Sequence, residues 1–144
     1  MVFLEDVPKG KGWEKPPEGF FLDQKMCTFL PHLLVIPRGA ELTILNSDQI
    51  LHYILAYELI GSAKRTLFNT AQPKFKPKVT QKFTVRKGNT PVRIECDAHN
   101  WMLGWSFVAD NPYSTVVGDN GSFKISDIPP GKYKLKAWHP FLGT

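Results

Sequence analysis

An all-β sandwich is the fold this sequence predicts, and three observations predict it. Twelve Pro and eleven Gly in 144 residues punctuate the chain between short apolar runs, which suits many short strands and suits long helices badly. Several of those runs alternate apolar and polar residues with a period of two, as half-buried strands do. Seven or more such segments at close spacing argue for two packed sheets. With 42% apolar and 12% aromatic residues, a substantial core can form.

Taken in order, Val2-Phe3-Leu4 reads as a first strand, and residues 8–19 as a turn-rich loop. Thr28–Ile36 forms one apolar run that Pro37-Arg38-Gly39 closes. Glu41–Leu45 alternates with Leu42 and Ile44 on one face, then stops at Asn46-Ser47-Asp48. His52–Leu59 is the next strand, residues 61–78 read mostly as basic loop, and Val79–Val85 alternates again. From Pro91 to Cys96 the alternation is clear: Val92, Ile94 and Cys96 share one face, Arg93 and Glu95 the other. Cys96 therefore leaves this strand pointing toward the core. Trp105–Val108 and Tyr133–Trp138 supply later strands, with Asp119-Asn120-Gly121 as a hairpin signal between them. The organisation expected is a main domain over residues 1–110 and a β extension over 111–144.

The formal charge is +5, and its distribution is more telling. No Asp or Glu occurs from Leu59 to Ile94, while nine of the 18 basic residues fall there, including Lys74, Lys76, Lys78 and Lys82. Such a block either solvates a loop or presents a positive face to an acidic partner. Only Phe68, Phe75 and Phe83 interleave with it, which matches no groove-reading or base-stacking module and weighs against nucleic acid. No apolar stretch is long enough to span a bilayer. The first residues carry no export signal, so the chain is either cytoplasmic or has lost one. Two cysteines make no disulfide scaffold.

Chemistry concentrates in Cys96-Asp97-Ala98-His99-Asn100-Trp101-Met102. A thiolate, an imidazole and a thioether fall within seven residues at the end of an inward-facing strand. Two histidines, a cysteine and a weak axial methionine are the donor set of mononuclear copper electron-transfer sites. His52, just after the Asn46-Ser47-Asp48 turn, qualifies as the second histidine. The thioether favours copper over zinc, and a binuclear centre would need a second cysteine in the loop. Taken singly, His32 and His139 read as structural residues and Met102 as core packing. It is the four-residue set, in order and at this spacing, that points to a metal.

The stretch from Pro37 through Asp48, then His52, resembles the strand and first-ligand loop of the cupredoxins, and the Cys96 loop has the short spacing found in amicyanin. The resemblance spans residues 28–108. It implies a Greek-key β-sandwich holding one copper ion near one end, with His52, Cys96 and His99 as equatorial ligands and Met102 as the axial one. Cupredoxins usually carry Asn directly after the first histidine, tying the ligand loops together; here Tyr53 stands there. Residues 119–133 resemble part of the carboxypeptidase-regulatory, transthyretin-like β module, which implies extra strands with a structural or interaction role.

Cys27 is open to three readings: a buried thiol, a disulfide with Cys96 that would remove the thiolate, or a second metal site with His32. The function expected is single-electron carriage to or from an acidic redox protein such as a c-type cytochrome, or a membrane electron-transfer complex. The expected location is periplasmic or otherwise extracytoplasmic. The alternative is a structural or copper-carrying subunit of a larger extracytoplasmic assembly. An enzyme ranks last, because no convergent acid–base set accompanies the donors.

Overall fold

A computed structural model describes all residues, 1–144, and contains twelve strands and no helix. In chain order these are β1 (Val2–Glu5), β2 (Phe20–Lys25), β3 (Thr28–Leu30), β4 (Leu33–Pro37), β5 (Glu41–Asn46) and β6 (His52–Ile60), then β7 (Ala63–Gln72), β8 (Lys78–Lys82), β9 (Thr90–Cys96), β10 (His99–Ala109), β11 (Ser114–Thr115) and β12 (Lys134–Ala137). One sheet runs β3-β2-β5-β8 and faces a second that runs β4-β10-β9-β6-β7.

Alternation decides what fills the space between them. From the first sheet come Leu22, Leu42, Ile44 and Val79; from the second come Ile54, Ala56, Val92 and Ile94. All are buried, each large aliphatic contributing about 1.5–3 kcal/mol by leaving water. Glu58 closes the inward face of β6 at the end remote from His52. It is 1% exposed and paired with Arg65, whose guanidinium donates to Glu58 Oε2 at 2.6 and 2.8 Å, while the Arg86 N–H donates to Oε1 at 2.6 Å.

A third, small sheet covers the outer face of β10. β1 lies between β11 and β12, antiparallel to both, with Val2 opposite Thr115 on one side and Ala137 on the other. Trp105, Phe107 and Ala109, the outward residues of β10, pack there against Met1, Phe3 and Trp138. The Trp138 ring lies 5.4 Å from Trp105 and 5.8 Å from Phe107.

Several local expectations change. The Thr28–Ile36 run is two strands in different sheets, interrupted at Pro31, which has no N–H to offer a ladder. Residues 63–72 are not loop but β7, paired with β6 along its whole length. It is an edge strand, so its exposed Lys64 guards an open edge instead of marking a turn, while Arg65 turns back onto Glu58. β8 ends at Lys82, although Phe83 and Val85 remain buried. The Asp119-Asn120-Gly121 turn forms, with Gly121 at φ 81° and its N–H bonded to Gly118 O, but no strands flank it.

Strand directions bring four connections to one end of the sandwich: residues 26–27, 47–51, 73–77 and 97–98. That end holds the chemistry.

Candidate metal centre

β9 and β6 pair so that Cys96 lies opposite Ile54, and His52 opens β6 on the same inward face two residues earlier. β10 begins at His99, which pairs directly with Cys96 across the turn. Sequence positions 52, 96 and 99 thus meet. His52 Nδ1 lies 3.1 Å from His99 Nδ1, and Cys96 Sγ lies 3.7 and 3.5 Å from those two nitrogens. Cys96 is 3% exposed and His52 fully buried, whereas His99 reaches the surface.

The spacing can be tested against a bound ion. Metal–nitrogen bonds of about 2.0 Å and metal–sulfur bonds of about 2.3 Å, spread in a plane, set donors about 3.5–3.8 Å apart. The observed triangle is of that size, slightly narrower between the imidazoles. One soft or borderline metal ion fits this donor set.

Met102 falls in the segment where β10 departs from regular pairing with β9, between His99 and Leu103. It is 2% exposed and belongs to the same core cluster as Cys96. The interruption matters because it inserts residues between the two ligand positions and the regular ladder, re-aiming side chains as bulges do.

Asp48 is the site residue that sequence reasoning treated only as the end of a turn. Its Oδ2 sits 3.0 Å from His52 Nε2 and accepts the Cys27 N–H at 2.9 Å, while Oδ1 accepts the Met26 N–H at 2.7 Å. Partial burial opposes its ionisation, but the two backbone donors and His52 together hold the carboxyl below its ordinary value. An ionised carboxylate can only accept, so His52 donates from Nε2 to Asp48 and turns Nδ1 toward Cys96; in the neutral ring that Nδ1 is free to bind a metal. Sequence offers only a spacing here, an Asp four residues before the first histidine, which does not distinguish it from the other turn side chains.

Tyr53 replaces the side-chain tie expected of Asn with a backbone one: its N–H points at Cys96 Sγ, 3.5 Å away. The ligand loops are held by other groups. Asn69 donates to Asp97 at 3.1 Å, and Asn46 Nδ2 donates to the carbonyls of Ile50 and Gln72, both at 2.9 Å, shaping the approach to His52. Both cysteines are free. Cys27 lies beside Asp48 and His52, with ligand atoms of all three within 4.8 Å of one another, while His32 is exposed on the β3–β4 connection.

No family model matches the chain, and no curated protein matches it. Solved structures do. A purple cupredoxin from Nitrosopumilus maritimus matches with a TM-score of 0.50 at 19% identity, covering 62% of this chain and 99% of its own. A reduced amicyanin variant matches with a TM-score of 0.50 at 16% identity, covering 74% of this chain and 97% of its own. The chain has the cupredoxin fold. Relative to that fold, the convergent His52, Cys96 and His99 sit at one end of the sandwich, where the loops carry them. No helix is long and apolar enough to cross a membrane.

Proposed function

We propose that this protein holds one copper ion with His52, Cys96, His99 and Met102 and carries single electrons. The observation that supports it is the triangle of Cys96 Sγ and two imidazole nitrogens, 3.1–3.7 Å on a side, with a buried thioether in the same core cluster. Thiolate, two imidazoles and a thioether suit copper, and the cupredoxin likeness at the level of fold agrees with that choice. Bound copper would supply a one-electron couple.

The chain's own residues do the rest. Burial of His52, Cys96 and Met102 excludes water and keeps the donors from rearranging. The Tyr53 N–H points at the Cys96 sulfur and holds its position, and Asp48 orients the His52 ring. His99, the surface-reaching donor, gives electrons their way out, with the 65% exposed Trp101 ring 5.3 Å from it. The partner we propose is an acidic redox protein such as a c-type cytochrome, or a membrane electron-transfer complex, and the compartment periplasmic or otherwise extracytoplasmic.

Adding Cu(II) to the purified protein tests the reading. An intense thiolate charge-transfer band should appear in the visible, disappear in Cys96→Ser, and persist with a shifted potential in Met102→Leu. Stoichiometric copper without colour, or an intact band in Cys96→Ser, would overturn it.

A further inference from the structure

Three of the four connections at the metal end of the sandwich carry an exposed apolar side chain, and Trp101 stands on β10 just past the fourth. Met26, at the β2–β3 turn, is 76% exposed, and Phe75, in the β7–β8 turn, is 83% exposed. Ile50 and Leu51 stand on the β5–β6 connection, and Trp101 follows the β9–β10 turn. Exposed apolar residues scattered singly need no explanation; a set gathered on three neighbouring loops and the strand beside them does.

Charge accompanies them. Phe75 sits in Lys74-Phe75-Lys76-Pro77-Lys78, a turn closed by the Lys76 N–H on Pro73 O, with all three lysines exposed and none in an ion pair. Lys25 is exposed beside Met26. Asp23, Asp48 and Asp97 also lie at this end, hydrogen-bonded to Ser47, to His52 and two N–H groups, and to Asn69, and the four unpaired lysines outnumber them. Other basic residues of the 59–94 block are neutralised within the fold, Arg65 by Glu58, Arg93 by Glu95 and Lys82 by Glu41.

From this we propose that the metal end docks on an anionic lipid bilayer, its loop tips entering the headgroup region while Lys74, Lys76 and Lys78 meet lipid phosphates. Separate apolar tips spread over one end suit a fluid surface that closes around each of them, whereas a rigid protein partner needs one contiguous complementary patch. Trp prefers the membrane interface, and each lysine near an anionic leaflet adds about 1 kcal/mol, roughly fivefold in partition. The inference is independent of copper, since it rests on loops and not on the donor set.

Sedimentation with vesicles tests it, using the full chain both metal-free and after copper addition. Vesicles of equal parts phosphatidylcholine and phosphatidylglycerol should retain the protein, pure phosphatidylcholine should not, and added salt should release it. Phe75→Ser should lower partition about fivefold, and Lys74→Glu, Lys76→Glu and Lys78→Glu together should abolish it; all four sites are exposed, so unchanged melting will show the variants folded. Brominated lipid should quench a fluorescence component that Trp101→Phe removes. Equal binding to both vesicle types, no binding to either, or full binding by the Phe75 and triple-lysine variants would overturn the proposal. Capture by an acidic protein without any vesicle binding would overturn it equally and assign the face to a protein.

Discussion

His52 is held at both ring nitrogens, with Nε2 3.0 Å from Asp48 Oδ2 and Nδ1 turned toward Cys96 and His99. A carboxylate behind a ligating imidazole pushes electron density onto the ring and raises its basicity. That favours the more highly charged state of a bound ion. Asp48→Asn keeps an acceptor but removes the charge, so the reduction potential of the copper protein should rise and copper affinity should fall about 10–100-fold. Redox titration followed in the visible band measures the potential, and competition with a copper chelator the affinity; an unchanged potential would mean that Asp48 serves only the turn. The acid dependence has a definite sign. The Asp48 carboxyl is held below its ordinary 3.8, so its contribution to stability is complete above that value and is lost as pH falls through the lower folded pKa.

At the opposite end, Arg65 is the partner that lets Glu58 stay charged in the core. Their side chains are 33% and 2% exposed, so most of the desolvation falls on Glu58. Arg65→Ala should cost about 3 kcal/mol, because it leaves a buried carboxylate with only the Arg86 N–H. Urea denaturation should show a lower midpoint with an unchanged slope. A loss below about 0.5 kcal/mol would mean that solvent reaches Glu58 after all.

Met26 and Cys27 both adopt left-handed backbone, with φ of 52° and 53°, in a two-residue hairpin loop. Neither residue type favours that conformation, which Asn tolerates more easily. Met26→Asn should therefore stabilise the protein by about 0.5–1 kcal/mol, since the Met side chain is exposed and little packing is lost. Thermal melting will show the gain as an upward shift. No shift would mean that the two N–H bonds to Asp48 already fix the turn at no cost to the chain.

That hairpin also shows why part of the fold was illegible. β2 and β3 were missed as a pair because Met26-Cys27 carries none of the Asn-Gly signal that announces such a turn; Asp48, distant in sequence, shapes it instead. β7 was missed because Lys64, Arg65 and Asn69 sit on an edge strand, where solvent replaces the apolar partners that periodicity detects. The site was far more legible. Val92, Ile94 and Cys96 alternate without interruption, so the direction of Cys96 followed from period alone, and His99 had to lie close by. Asp48 stayed hidden because nothing in a turn sequence tells which of its side chains folds back onto a ligand.

The placement of β1 between β11 and β12 sets an order of events during synthesis. Val2–Glu5 leave the ribosome well ahead of their partners at Ser114–Thr115 and Lys134–Ala137, with both large sheets made in between. Until then the outward residues of β10, Trp105 and Phe107, have nothing to cover them. A nascent chain whose two large sheets have already closed would still present an apolar face and an unpaired first strand, the combination that chaperones bind and that aggregates at high expression.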